Sequence, residues 1–188
     1  MSKKFIGILG ALVVVFGALL LVKQSQPQVA QVGLQHPNQG QQHIQRGQSH
    51  ETYNSDPASS GPHYNDSGAP TDWGVYTREV PEEVFVHNEE HGGIIVTYSP
   101  SLLAADQLKK LQQLFAPPYS NQKFQPSRFI LTPRSKDTHA IELAAWTYTL
   151  NFDSYDEATL IQFYEQHVNK SPEAGAQPTN APIDQATN

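Results

Sequence analysis

The chain has 188 residues, a formal net charge of −6 and no cysteine. That length holds one ordinary domain with appendages, and an acidic balance without any Lys/Arg run beyond a pair speaks against a nucleic-acid partner. Disulfides, thiolate metal sites and a lipoprotein cysteine are excluded, and with Met1 as the only methionine so is a thioether copper site.

Phe5 to Val22 is an unbroken run of 18 apolar residues and glycines. As a helix it covers about 27 Å, close to a bilayer core of about 30 Å. It is longer than the roughly 7–15 residues of a signal peptide's apolar region, and no small-x-small cleavage site follows. Residues 1–23 therefore predict an uncleaved signal anchor; a cleaved signal peptide is the alternative. Lys3 and Lys4 precede the run and Lys23 alone follows it, which puts the N-terminus in the cytoplasm and the rest outside. Residues 24–42 are rich in Gln with scattered Pro and Gly and predict a tether. Residues 174–188 predict a disordered tail. Residues 43–173 are left as the folded domain.

Within the domain, Asp56 to Tyr64 is loop chemistry, with two prolines and a glycine close together. Trp73 to Tyr76 predicts a short strand. Pro81, Glu82 and Glu83 suit a helix start, and Gly92 suits the residue after a helix end, so residues 81–91 predict a helix. The competing reading is a strand through Val84-Phe85-Val86 with histidines on a turn. Ile94 to Tyr98 predicts a strand. Ser101 to Phe115 predicts a helix with Leu103, Leu108, Leu111 and Leu114 near one face, stopped by Pro117-Pro118. Phe129 to Pro133 predicts a short strand, Ile141 to Leu150 one long strand, and Asp156 to Val168 a last helix. The order predicts an α+β fold: a mostly antiparallel sheet with helices packed on one face.

The chemistry centres on Val86-His87-Asn88-Glu89-Glu90-His91-Gly92-Gly93. Residues i and i+4 share a helix face, so His87 and His91 can hold one metal ion together. An imidazole site for a divalent metal needs three or four converging ligands. His63, on the Pro-fixed loop, can supply a third. His43 or His50, in the stretch entering the domain, can complete four. Glu89 and Glu90 are candidate carboxylate ligands or partners that orient an imidazole. His87 to His91 also spells H-x-x-E-H, the inverted zincin pattern, with Glu90 as general base and Glu157 or Glu165 as a further ligand. Asp153, Asp156 and Glu157 could bind calcium, but acids at a helix N-terminus explain them more simply. His36, His139 and His167 read as tether, hairpin-tip and helix-end residues.

These residues together resemble an uncharacterised, mostly bacterial family, domain of unknown function 3105. The likeness rests on His43-Ile44 with Tyr53, on Pro57 to Tyr64, on Gly74 to Gly93 with Tyr98, and on Ala144-Ala145-Trp146 ahead of Phe163 and Pro172-Glu173. It departs from the usual pattern at Ala58 and Ser59, where members carry proline and threonine, and at Glu89, where they carry leucine. The resemblance implies an exported domain on a single-span anchor in the bacterial inner membrane. It also points to His43, His63, His87, His91 and Glu90 as a constellation. It implies no activity. Three functions are thus expected to compete: an extracytoplasmic domain binding copper or zinc, for metal handling or as accessory to a membrane complex; a zinc-dependent hydrolase using Glu90; and an interaction module whose histidines only support the fold.

Overall fold

A computed structural model describes residues 30–115, 124 and 127–176. The expected anchor, the start of the tether, Pro117-Pro118 and the tail beyond residue 176 lie outside the described residues. Among the described residues no helix is long and apolar enough to cross a membrane.

Among the described residues eleven elements follow in chain order: β1 (Leu34–Gln35), β2 (His43–Ile44), β3 (His63–Tyr64), β4 (Gly74–Val75), α1 (Glu82–Glu90), β5 (Ile94–Tyr98), α2 (Ala105–Leu114), β6 (Phe129–Pro133), β7 (Ile141–Ala145), β8 (Tyr148–Phe152) and α3 (Glu157–His167). Six strands form one sheet in the order β1-β8-β7-β5-β6-β4. The β1–β8, β8–β7 and β7–β5 pairs are antiparallel, while β5–β6 and β6–β4 are parallel. β2 and β3 form a separate parallel pair. The fold is α+β on a mixed, mostly antiparallel sheet.

The helices do not share one face, contrary to expectation. Strand residues alternate sides, and two cores result. Ile94, Val96, Phe129, Leu131, Ile141 and Leu143 pack with Leu111 of α2 and with Leu160, Phe163 and Tyr164 of α3. On the other side Ile95, Ile130, Ala144 and Trp146 pack with Val84, Phe85 and Val86 of α1. Strand order supplies the reason. From β4 through α1 the chain crosses inward past β6 to β5, then α2 carries it back outward to β6. Parallel crossovers are right-handed, so reversing direction along the sheet moves the connecting helix to the opposite face.

The expected long strand over Ile141 to Leu150 is instead a hairpin, β7 and β8, turning at Trp146-Thr147. Thr147 takes φ 63°, which a β-branched residue rarely adopts. The turn is held from outside: its N–H donates to Ser59 O at 2.7 Å, and its carbonyl accepts from His36 N–H at 2.8 Å. No residue in the turn announces that. Part of the stretch with tether composition also lies on the domain. β1 pairs with β8, Val32 N–H donates to Gln166 Oε1 at 2.8 Å, and His36 Nε2 meets Thr149 Oγ1 at 2.7 Å. Edge pairing uses backbone groups, so it leaves no mark in side-chain composition.

α1 is buried almost all round, between the sheet and the loop that ends in β3. Val80 N–H donates to Thr132 Oγ1 at 3.0 Å ahead of its first turn. Its far end closes as a Schellman turn: Gly92 N–H donates to Glu89 O at 2.8 Å, and Gly93 N–H to Asn88 O at 2.9 Å. Gly92 has φ 89°, as the C′ position of that turn requires. A Cβ on Gly93 would stand 2.3 Å from the Trp73 ring, so the chain can pass there only as glycine. The turn delivers the last helical residues, His87 to Glu90, and the capping His91 to the end of the sheet where β5 begins.

Candidate metal centre

His43 and His63 face each other in the parallel β2–β3 ladder, where they are Cα partners. The loop before His63 is clamped. Ala58 N–H donates to Glu82 Oε1 at 3.1 Å, and Gly61 N–H to Gly40 O at 3.0 Å. His87 and Glu90 come from the last turn of α1. The three histidines gather with ring centroids 5.0 Å (His43–His63), 4.9 Å (His63–His87) and 5.3 Å (His43–His87) apart.

Their Nε2 atoms point at one oxygen. Glu90 Oε2 lies 3.1 Å from His63 Nε2, 3.6 Å from His43 Nε2 and 3.9 Å from His87 Nε2. One ligand atom from each of the four residues lies within 4.8 Å of all the others, and the group could hold a metal ion. Bonds of about 2.0–2.1 Å to zinc put neighbouring ligand atoms about 3–4 Å apart, so modest contraction closes the site.

The opposite ring nitrogens explain why the Nε2 atoms are available. His63 Nδ1 lies 2.8 Å from Gly61 O, and His87 Nδ1 lies 2.6 Å from Tyr64 O. A carbonyl only accepts, so each Nδ1 carries the proton and donates it. Where Nε2 is unprotonated, a ring held this way presents that lone pair to the centre, the tautomer that metal-ligating histidines adopt when a carbonyl orients them. His43 Nδ1 lies 3.0 Å from Asn65 Nδ2. In His63 both ring nitrogens face oxygen acceptors, and only a cation between Nε2 and Glu90, a proton or a metal, satisfies that arrangement.

Burial and charge tune the group. Burial holds His87 down at about 4, against a bond to the Tyr64 carbonyl that works the other way. Burial alone would raise Glu90, but hydrogen bonds from His63 and Gln41 and the charges of His63 and His87 outweigh it and hold Glu90 at about 2. At neutral pH His87 is an unprotonated donor and Glu90 an anion. Both are the ligand forms, and His87 needs no deprotonation first. The whole group also sits at the C-terminal end of α1, where the helix dipole favours positive charge.

This protonation pattern has a consequence for the metal-free chain. Between about 4 and the ordinary 6.5, the unfolded chain binds a proton at His87 that the folded chain does not. The His87 contribution to stability is therefore complete above pH 6.5 and is lost as pH falls through 4. Glu89, raised far above its ordinary value by burial and by Glu82, acts with the opposite sign. The His87 part is isolated by comparing wild type with His87→Gln. Urea midpoints of the chelated proteins at pH 7, 6 and 5 are expected to fall more steeply in wild type. Parallel slopes would show that His87 is not held neutral.

The other sequence candidates fall elsewhere. His91 caps α1 and turns away from the first group: its Nε2 faces Glu173 Oε2 at 3.3 Å, and its ring meets His87 edge-on at 4.7 Å. The i, i+4 pair therefore does not converge on one point. The shared residue is Glu90, three positions after His87. His50 lies against Glu83 at 3.4 Å and Glu51 O at 2.7 Å, outside the group. Glu89 is wholly buried, and neither carboxylate oxygen has a hydrogen-bond partner among the described residues. Glu157 and Glu165 join no metal-holding group among the described residues. Asp156 caps α3, accepting from Ala158 and Thr159 N–H at 3.0 and 3.2 Å, while Asp153 pairs with His139 Nδ1 at 2.9 Å and Glu157 accepts from the Tyr155 hydroxyl at 3.2 Å. Two contributors escaped sequence reasoning. Gln41, inside the expected tether, donates to Glu90 Oε1 at 2.7 Å. Glu173 reaches His91, and its only sequence signal is its place in the Pro172-Glu173 pair.

Fold and site together define an α+β domain carrying three histidines and a glutamate at the end of a buried helix. The model of a family described as "Protein of unknown function (DUF3105)" matches residues 43–180, more than half of the chain, and the chain belongs to that family. No curated protein and no solved structure matches it.

Proposed function

We propose that the protein binds one divalent transition metal, copper(II) or zinc, through His43, His63, His87 and Glu90. The domain would face the extracytoplasmic side, anchored by the apolar run Phe5 to Val22, in metal handling or as an accessory to a membrane complex. One observation carries the metal reading: three Nε2 atoms approach a single carboxylate oxygen at 3.1 to 3.9 Å. Two of those rings are oriented by backbone carbonyls. A set of three imidazoles and one carboxylate without sulfur suits Cu(II) and Zn(II), with Cu(II) bound more tightly.

The hydrolase reading draws less support. The inverted zincin pattern needs both histidines on one ion and the glutamate free to take a proton. Here His91 turns away, and Glu90 is an anion inside the ligand set. The test is metal titration of the purified full-length chain after chelation, read by calorimetry and elemental analysis. At least one equivalent of zinc or copper is expected in wild type, and His63→Ala and His87→Ala should each weaken that binding at least tenfold. Sub-stoichiometric metal after repletion would leave the histidines as structural supports of an interaction module.

A further inference from the structure

We propose that Glu90, His91 and Glu173 form a second divalent-cation site that shares the Glu90 carboxylate with the first, making the centre dinuclear. This rests on the metal reading above and extends it. One ligand atom from each of these three residues lies within 4.8 Å of the others. His91 Nε2 and Glu173 Oε2 already stand 3.3 Å apart.

The approach of Glu173 is built by the backbone. Three bonds fasten the segment after α3 onto the end of α1. Asn169 N–H donates to Gly92 O at 2.9 Å, Ser171 Oγ to Glu90 O at 2.6 Å, and Glu173 N–H to Glu90 O at 3.1 Å. Residues more than 80 positions apart are thus held with their side chains on a common point. Arg128 Nη1 donates to His91 O at 2.6 Å, fixing the cap backbone from the other side.

The two halves of the centre differ in kind. The first is imidazole-rich and, apart from His43, buried. The second has two carboxylates and one imidazole, and half of the Glu173 side chain is exposed. Water can complete its coordination, and its harder ligand set suits zinc or manganese better than copper. A carboxylate between two sites is the arrangement by which paired ions are held about 3.5–4 Å apart. The first ion is expected to be kept tightly, and the second exchanged with solvent.

The test is a zinc titration of the chelated full-length chain, followed by calorimetry with elemental analysis of the saturated protein. Two equivalents are expected, the second at least tenfold weaker. Glu173→Gln and His91→Ala should each remove the second equivalent and leave the first within about threefold. Glu173 is exposed enough for its exchange to leave the fold intact, which circular dichroism checks. Saturation at one equivalent, or two equivalents untouched by either variant, would overturn the second site and leave the first reading standing. Uptake of no zinc, and of no copper(II) in a parallel titration, would overturn both.

Discussion

Glu90→Gln is expected to weaken zinc or copper binding more than about a hundredfold while leaving the chain folded. Even residues that only orient a metal ligand cost roughly 10–100-fold in affinity when changed, and Glu90 is proposed as a ligand itself. The exchange keeps the shape of the side chain and removes its charge. Its amide N–H can donate to an unprotonated His63 Nε2 and its carbonyl can still accept from Gln41 Nε2, which stand 3.1 and 2.7 Å away, so the metal-free fold has little to lose. The same variant separates two functions. A glutamate acting only as a general base is dispensable for metal binding, so a Glu90→Gln protein that keeps wild-type affinity and loses a hydrolytic activity would reinstate the hydrolase reading. Loss of affinity places Glu90 among the ligands. Competition titration against a chelator of known strength reads the difference.

The largest effect on stability is expected at Arg134, on the polar rim of the same sheet face. This guanidinium is almost wholly buried and meets Asp56, Asp137 and Glu82, the last at 2.8 Å, with Glu142 Oε2 at 3.7 Å. Burial raises both Asp137 and Glu142 above the ordinary carboxylate range even with the cation present. Arg134→Met leaves those acids without it. Removing one partner of a buried ion pair costs about 3–5 kcal/mol, because the other charge stays desolvated and unpaired. Urea denaturation of the chelated protein at pH 7 should show that loss, and the deficit should shrink toward pH 5 as the stranded acids take up protons. Lys136→Ala is the control: Lys136 Nζ meets Glu82 at 2.6 Å but is half exposed, and such pairs contribute about 0–1 kcal/mol. Equal losses in the two variants would show that the Arg134 cluster is not a buried network. The link to the site is direct, because Glu82 also binds Ala58 N–H and so ties the His63 loop to the start of α1.

Glu89 shows how local chemistry and tertiary packing can disagree. Two adjacent carboxylates follow one another on α1, and nothing in their identity separates them. Helix geometry turns successive residues about 100° apart. One meets three imidazoles and is ionised, while the other enters the core without a hydrogen-bond partner among the described residues, where burial pushes its carboxyl well above the ordinary value. The likeness to a family that usually has leucine at that position was the only sequence sign that Glu89 faces apolar surroundings.

Local interactions made much of the chain legible. The helix of residues 82–90, its glycine stop, the strands 94–98 and 129–133 and the last helix all follow from caps, β-branched runs and periodicity, which act over a few residues. The presence of imidazole chemistry was legible too, because only histidine and carboxylates remain once sulfur is absent. What the tertiary structure decided is which histidines meet. His43 reaches His63 through two-residue strands too short to carry any pattern, His91 departs toward a glutamate more than 80 residues later, and α1 takes its own face of the sheet because of strand order. Those outcomes depend on backbone pairing between distant segments, and backbone hydrogen bonds are the same for every residue type but proline.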